Sequence, residues 1–248
     1  LIHTWAPEAE GHGTDSVIRA YHRMKGVVRK RVIALKALTA ALTIGTGGSA
    51  GQEGPVAQVG AGIGSSVSNA LGLSDRDRRL FLLSGASAGV GAMFCSPLGG
   101  ALFAPEVLYK REDIEGDALV PCIIASIFAY ATFAAISGVH RVVEIPPEVF
   151  ENLHFSDPKE LLVYLVLGVV CTGAGWLYTR VFYGVDRIAG NAKRIPKALR
   201  PALGGLLLGL TALAISPMVD GGGIFFGGYG LIKSAISGEL AISALIIL

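Results

Sequence analysis

Residues 45–55 read Gly-Thr-Gly-Gly-Ser-Ala-Gly-Gln-Glu-Gly-Pro and open an apolar run that begins at Val56. Between Ala37 and Ser74 the only formally charged residue is Glu53. A lone carboxylate at bilayer depth costs a few kcal/mol or more, so an intramembrane acid normally faces a cavity or a pathway. Glycines at 45, 47, 48, 51 and 54 allow an irregular backbone that other groups can approach closely, and Pro55 suits the first residue of a helix. The free N–H groups of a helix start attract anions. Gly51, Gln52, Gly54 and Pro55 therefore frame a place for a small anion, and Glu53 is a tethered anion able to compete for it. The plainer alternative is a Gly-rich turn between buried helices, with Glu53 held by a partner elsewhere.

Composition agrees with a membrane setting. In 248 residues, 52% are hydrophobic, the mean hydropathy is +0.56, and the charges gather between long neutral stretches. An all-α integral membrane protein follows. Its 34 glycines suit membrane helices that approach through small residues, as in the Gly-x-x-x-Gly spacings at 60/64, 85/89 and 205/209. The net charge of +2 is uninformative, because in such a protein the distribution of Lys and Arg carries the topology. Cys95, Cys122 and Cys171 lack paired spacing and are read as packing. No metal-type histidine spacing, nucleophile motif or nucleotide fingerprint occurs, so no catalytic residue, metal, cofactor or nucleic-acid partner is expected.

Taken in order, Leu1 to Ala6 ends an apolar helix, and residues 7–15 form a polar turn in which Thr14 or Asp15 can cap the next segment. Ser16 to Met24 is too short to cross a bilayer. Lys25, Arg29, Lys30 and Arg31 make a basic loop with a cytoplasmic bias, and the apolar helix from Val32 to Ile44 carries Lys36. Pro55 to Leu71 is a small-residue helix. Ser74 is a candidate N-cap for the charged boundary 75–79, taken as a solvated helix start before Leu80 to Phe94. Pro97 to Tyr109 contains Pro105, which is expected to bend or break it. Ala118 to Gly138 can span alone. The acidic, Pro-rich stretch 140–160 reads as an extramembrane loop, and Lys159 to about Tyr183 as the longest helix. A basic connection, cytoplasmic by the same bias, leads to the Gly-rich helix Pro201 to Ile215.

Pro7-x-x-Glu10-Gly11-x-Gly13 returns as Pro217-x-x-Asp220-Gly221-x-Gly223, each copy following an apolar run and preceding a short segment. Paired broken helices of this kind mark the ion site of transporters built from inverted repeats. The division is residues 1–138 as most of one repeat, 139–157 as an acidic linker and 158–248 as the start of the second.

The quoted motifs resemble those of the CLC chloride channels and chloride/proton antiporters. Gly51-Gln52-Glu53-Gly54-Pro55 resembles the family's Gly-(Lys/Arg)-Glu-Gly-Pro signature, and Gly11 to Asp15 stand where the family has Gly-Ser-Gly-Ile-Pro. Lys36 falls at a basic position of the family's helix E, and Pro97 to Tyr109 resembles its helix H. The resemblance implies a CLC-type inverted repeat of oblique and broken helices, partial in this chain. It also implies a multi-pass homodimer in a lipid bilayer, of the prokaryotic inner or plasma membrane, carrying chloride with Glu53 as gate.

By the same resemblance His12 and Gly13 join the anion-binding set, and Glu106 and Val107 lie on an inner route. Glu106 reads equally as an i,i+4 surface partner of Lys110. Gln52 departs from the family by removing a charge beside the gate, and His12 by replacing a serine. Val107 stands where antiporters often hold a second glutamate, so a voltage-gated-type chloride channel is the leading expectation, with proton-coupled chloride antiport as the alternative. A membrane enzyme or cofactor-binding protein is a remote third. Phe103, Phe225, Phe226 and Tyr229 are read as packing, the middle two flanking a Gly-rich loop. A second anion-site loop is expected roughly 40 residues after Gly223, past Leu248.

Overall fold

The structure is a computed structural model that describes residues 2–108, 116–139, 147, 157–191, 195–196, 199–216 and 224–238. Among the described residues there are helices and no strands. Helices α1 (Ile2–Trp5), α2 (Thr14–Arg23), α3 (Lys30–Gly45), α4 (Glu53–Ala70) and α5 (Asp75–Met93) are followed by α6 (Pro97–Leu108) and α7 (Gly116–Ser137). Then come α8 (Glu160–Asn191), α9 (Arg200–Ile215) and α10 (Tyr229–Ile236). The chain forms two compact units: residues 1–144 with 223–229, and residues 145–222 with 230–248. The acidic linker, the Pro217 to Gly223 motif and Lys110 lie largely or wholly outside the described residues.

The first unit is built on the antiparallel crossing of α4 and α5. A Cβ on Gly60 would run into the Gly85 carbonyl, and one on Gly85 into the Gly60 carbonyl. Gly64 meets the Phe81 backbone in the same way, and Gly89 that of Val56. In hydrocarbon, water does not drive helices together, so backbones that touch through small residues maximise dispersion and exclude lipid. The two Gly-x-x-x-Gly spacings at 60/64 and 85/89 therefore act as one interlocking pair. Gly205 and Gly209 have no such neighbour among the described residues. Around the crossing lie Ala57, Ala61, Leu82, Leu83, Ala86 and Val90, all buried. Helices α6 and α7 pack on α5, and Ser126 on α7 donates to the Pro97 carbonyl at 2.6 Å.

The helix ends follow local chemistry. Ser74 caps α5, accepting from the Asp77 N–H at 3.2 Å, so the charged boundary becomes its first turn. Arg76 pairs with Asp117 at 2.5 Å, and Arg79 lies 5.6 Å above the Tyr21 ring. Lys25 bonds Asp75 and, with Arg78, holds its carboxyl below the usual carboxylate range. This start is thus tied to α2 and α7 as well as solvated. Helix α6 runs through Pro105 to Leu108 without a break. Helix α8 extends eight residues beyond Tyr183, to Asn191, running through Gly184 and Gly190 with no proline to stop it.

In the second unit, α8 buries none of its residues, and its apolar side chains are exposed on every face. A helix that is apolar all round belongs in hydrocarbon or among other helices. Helices α7 and α8 are long and apolar enough to cross a membrane, by length and composition. Cys122 is buried as expected, whereas Cys171 on α8 is exposed.

Candidate functional site: the loop before α4 and the start of α2

Helix α4 begins at Glu53, two residues earlier than the sequence suggested, with Gln52 at the N-cap. Pro55 is its third residue. A proline fits anywhere in the first turn, because the N–H it lacks would have had no intrahelical partner. Glu53 is consequently part of the helix start and does not stand ahead of it. Its half-buried carboxylate folds back over the loop, where a Cβ at Gly51 would collide with Oε2. An ionised carboxylate at this end of a helix is favoured by the helix dipole.

The start of α2 meets the start of α4 backbone to backbone. Gly13 is the N-cap of α2 with φ +109°, and a Cβ there would collide with the Gly54 carbonyl. Conversely, a Cβ on Gly54 would collide with the carbonyl of His12. Neither Thr14 nor Asp15 caps α2. The turn enters through a conformation that glycine alone adopts cheaply, which brings Gly13 to the N-cap without a side-chain bond. His12 itself is exposed. The structure thus brings His12, Gly13, Gly54, Pro55, Gln52, Gly51 and Glu53 together in one place, with two helix N-termini converging.

Buried polar groups fix the turn that leads to Gly13. Lys36 on α3 is 5% exposed and donates to the carbonyls of Ala9 (3.0 Å) and Gly11 (2.7 Å). Gln58 on α4 donates to the Glu8 carbonyl at 3.2 Å, and the Ser16 hydroxyl donates to it at 2.8 Å. The Glu8 carboxylate pairs with Arg29, and with Arg31 at 3.8 Å. Ser65 accepts from the Val28 N–H at 2.9 Å and so ties the basic loop to α4. The bonds from Lys36, Gln58, Ser16 and Ser65 each satisfy a backbone group that hydrocarbon would leave unpaired.

Residues 224–229 supply the rest of the setting. The Ala50 N–H donates to the Phe226 carbonyl at 3.1 Å, and the Phe225 ring borders Gly47. The Tyr229 hydroxyl donates to Glu53 Oε1 at 3.2 Å. Tyr229 is therefore not a packing residue, and it is the functional candidate that sequence reasoning missed. The usable signal was a phenol in apolar surroundings, because a buried Tyr hydroxyl normally finds a partner. Glu106 and Val107 are exposed on α6, which packs mainly on α5 and α7, and the structure does not bring them to the Glu53 loop.

A family model described as "Voltage gated chloride channel" matches residues 1–248. The chain belongs to the CLC family. Its sequence is 31% identical to the "H(+)/Cl(-) exchange transporter ClcA" of Vibrio vulnificus, over the whole chain and 52% of that protein. In fold it is similar to two solved CLC structures. One is a slow cyanobacterial Cl⁻/H⁺ antiporter, with TM-score 0.78, 22% identity, and coverage of 100% of this chain and 56% of that one. The other is a CLC-type fluoride/proton antiporter, with the same score and identity and coverage of 98% and 58%. The chain thus spans about half the length of the CLC relatives it matches, and its all-helical fold is of the CLC type.

Proposed function

We propose that this CLC chain contributes the gate of a proton-coupled chloride antiporter that works as a homodimer in a lipid bilayer. The observation that carries the reading is the Glu53 carboxylate, half-buried at the start of α4, where Gly54 meets His12 and Gly13. Val107 alone favours a passive channel, since the inner route would lack a carboxylate. The names of the relatives weigh more heavily on the other side, as the ClcA proteins and both solved structures are exchangers.

In this mechanism the ionised Glu53 carboxylate occupies the position an anion would take at the convergence of α2 and α4. Taking up a proton removes its charge, and the helix dipole no longer holds it. The carboxyl swings away, and chloride enters against the first-turn N–H groups of α4 and the N-cap of α2. Returning the proton to the far side closes the cycle and couples the two fluxes. Gly51, Gln52, Gly54 and Pro55 shape the position, and Lys36 keeps the Gly13 turn in register. The reading needs no cofactor.

The test is the reversal potential of the full-length protein in liposomes under combined chloride and pH gradients. A potential that shifts with the pH gradient is expected. A Nernstian chloride value, indifferent to pH, would make the protein a channel and overturn the coupling.

A further inference from the structure

We propose that Tyr229 is the positioning residue of the Glu53 gate, its hydroxyl latching the carboxylate in the folded-back position over Gly51. The inference rests on the gate reading above and adds to it a second residue that sets when the gate opens.

The contact is built rather than incidental. The turn 224–229 touches the Glu53 loop at three separate points: Phe225 beside Gly47, the Phe226 carbonyl on the Ala50 N–H, and Tyr229 on Glu53. Phe226 holds φ +60°, a left-handed conformation that a bulky residue adopts only when its surroundings compel it, and its carbonyl is the one that Ala50 bonds. Gly227 leaves room for the phenol, because a Cβ there would sit 2.7 Å from Tyr229 Cε2. A phenol donating to a carboxylate makes a charge-assisted hydrogen bond that pins the side chain in place.

Other titratable and charged groups stand around Glu53 besides the Tyr229 donor. On the α2 side stand His12 and Asp15, and on α3 Lys36 points to the Ala9 and Gly11 carbonyls. The charges of α5, residues 75–79, lie at the other end of α4, as the antiparallel pairs Gly64 with Phe81 and Gly89 with Val56 show. Lys233 lies one turn further along α10.

The experiment measures chloride flux of the full-length protein in liposomes between about pH 4.5 and 7.5, bracketing carboxyl and imidazole titration. Tyr229→Phe keeps the ring and removes only the hydroxyl. Its flux profile is expected to move upward by about one pH unit, because the carboxylate is released at a lower proton concentration. Glu53→Gln should be flat, and the double variant should match Glu53→Gln alone, since the hydroxyl acts only through Glu53. A wild-type midpoint in Tyr229→Phe beside a flat Glu53→Gln overturns the latch and leaves the gate standing. Wild-type profiles in both overturn the two together. If Tyr229→Phe does not reconstitute, Glu53→Asp decides. It withdraws the carboxylate from the phenol by one carbon, so an upward shift supports the latch and a wild-type midpoint overturns it.

Discussion

Gly13 and Gly54 bring two main chains together, so that a side chain on Gly13 would occupy the Gly54 carbonyl and one on Gly54 the carbonyl of His12. The contact joins the N-termini of α2 and α4, which sit on separate helices and would otherwise repel each other as two like partial charges. An acid near these termini lowers that cost, and each helix carries one in its first turn, Asp15 on α2 and Glu53 on α4.

Gly54→Ala and Gly13→Ala are expected to force that junction apart. Each introduces overpacking against backbone that cannot rotate away, and Gly13→Ala adds a left-handed residue. The loss should be about 3 kcal/mol or more for Gly13→Ala, and about 1–3 kcal/mol for Gly54→Ala. Thermal unfolding in detergent, followed by loss of monodisperse protein, measures both. A melting temperature unchanged in either would show that the junction is looser than described.

Glu53→Gln copies the protonated side chain at nearly the same volume, and Glu53→Ala removes it. Both are expected to give chloride flux largely independent of pH and to abolish proton movement coupled to it. Flux in liposomes, with a pH electrode reading proton uptake, separates the two effects. A wild-type profile in Glu53→Gln would remove Glu53 from the role of gate.

Lys36→Met keeps the length and apolar stem of the side chain but withdraws the donors from the Ala9 and Gly11 carbonyls. The buried Ala9 carbonyl left without its partner should cost about 1–3 kcal/mol, and the partly buried Gly11 carbonyl less. The Gly13 turn then loses its register, and chloride affinity should fall together with stability. Isothermal titration of chloride, beside a melting curve, tests whether the two decline in step.

Gly85→Val places a branched side chain against the Gly60 carbonyl at the α4/α5 crossing. Overpacking at such a contact costs about 1–3 kcal/mol, more where backbone is the obstacle. The variant is expected to expose α5, which cysteine-accessibility labelling at Ala86 would detect. An unlabelled Ala86→Cys in that background would indicate that the crossing tolerates the extra volume.

Much of the site was legible because its signals are local. A single charge in a neutral stretch singles out Glu53, and clustered glycines predict the close approaches at 51, 54, 60 and 85. Ser74 could be recognised as a cap from its place before an acidic turn. What escaped reading depends on distance. Nothing near Tyr229 in sequence says that its hydroxyl faces a carboxylate, since that partner is fixed only when the turn 224–229 lies on the 47–53 loop. The start of α4 was misplaced for a different reason: Pro55 signals a first turn without saying which of its residues comes first. Lys36 stood out as a charge carried by an apolar helix, but its bonds to two carbonyls belong to the path of the preceding turn.

The Tyr229 hydroxyl reaches Glu53 across 176 positions of chain. During synthesis at about 5–20 residues per second, that separation is an interval on the order of ten to thirty seconds. Helices α2 to α5 have their contacts available well before it ends, while the carboxylate has no phenol to rest on. A newborn subunit therefore carries a Glu53 carboxylate without its phenol partner until residues 224–229 have left the ribosome and settled on the 47–53 loop.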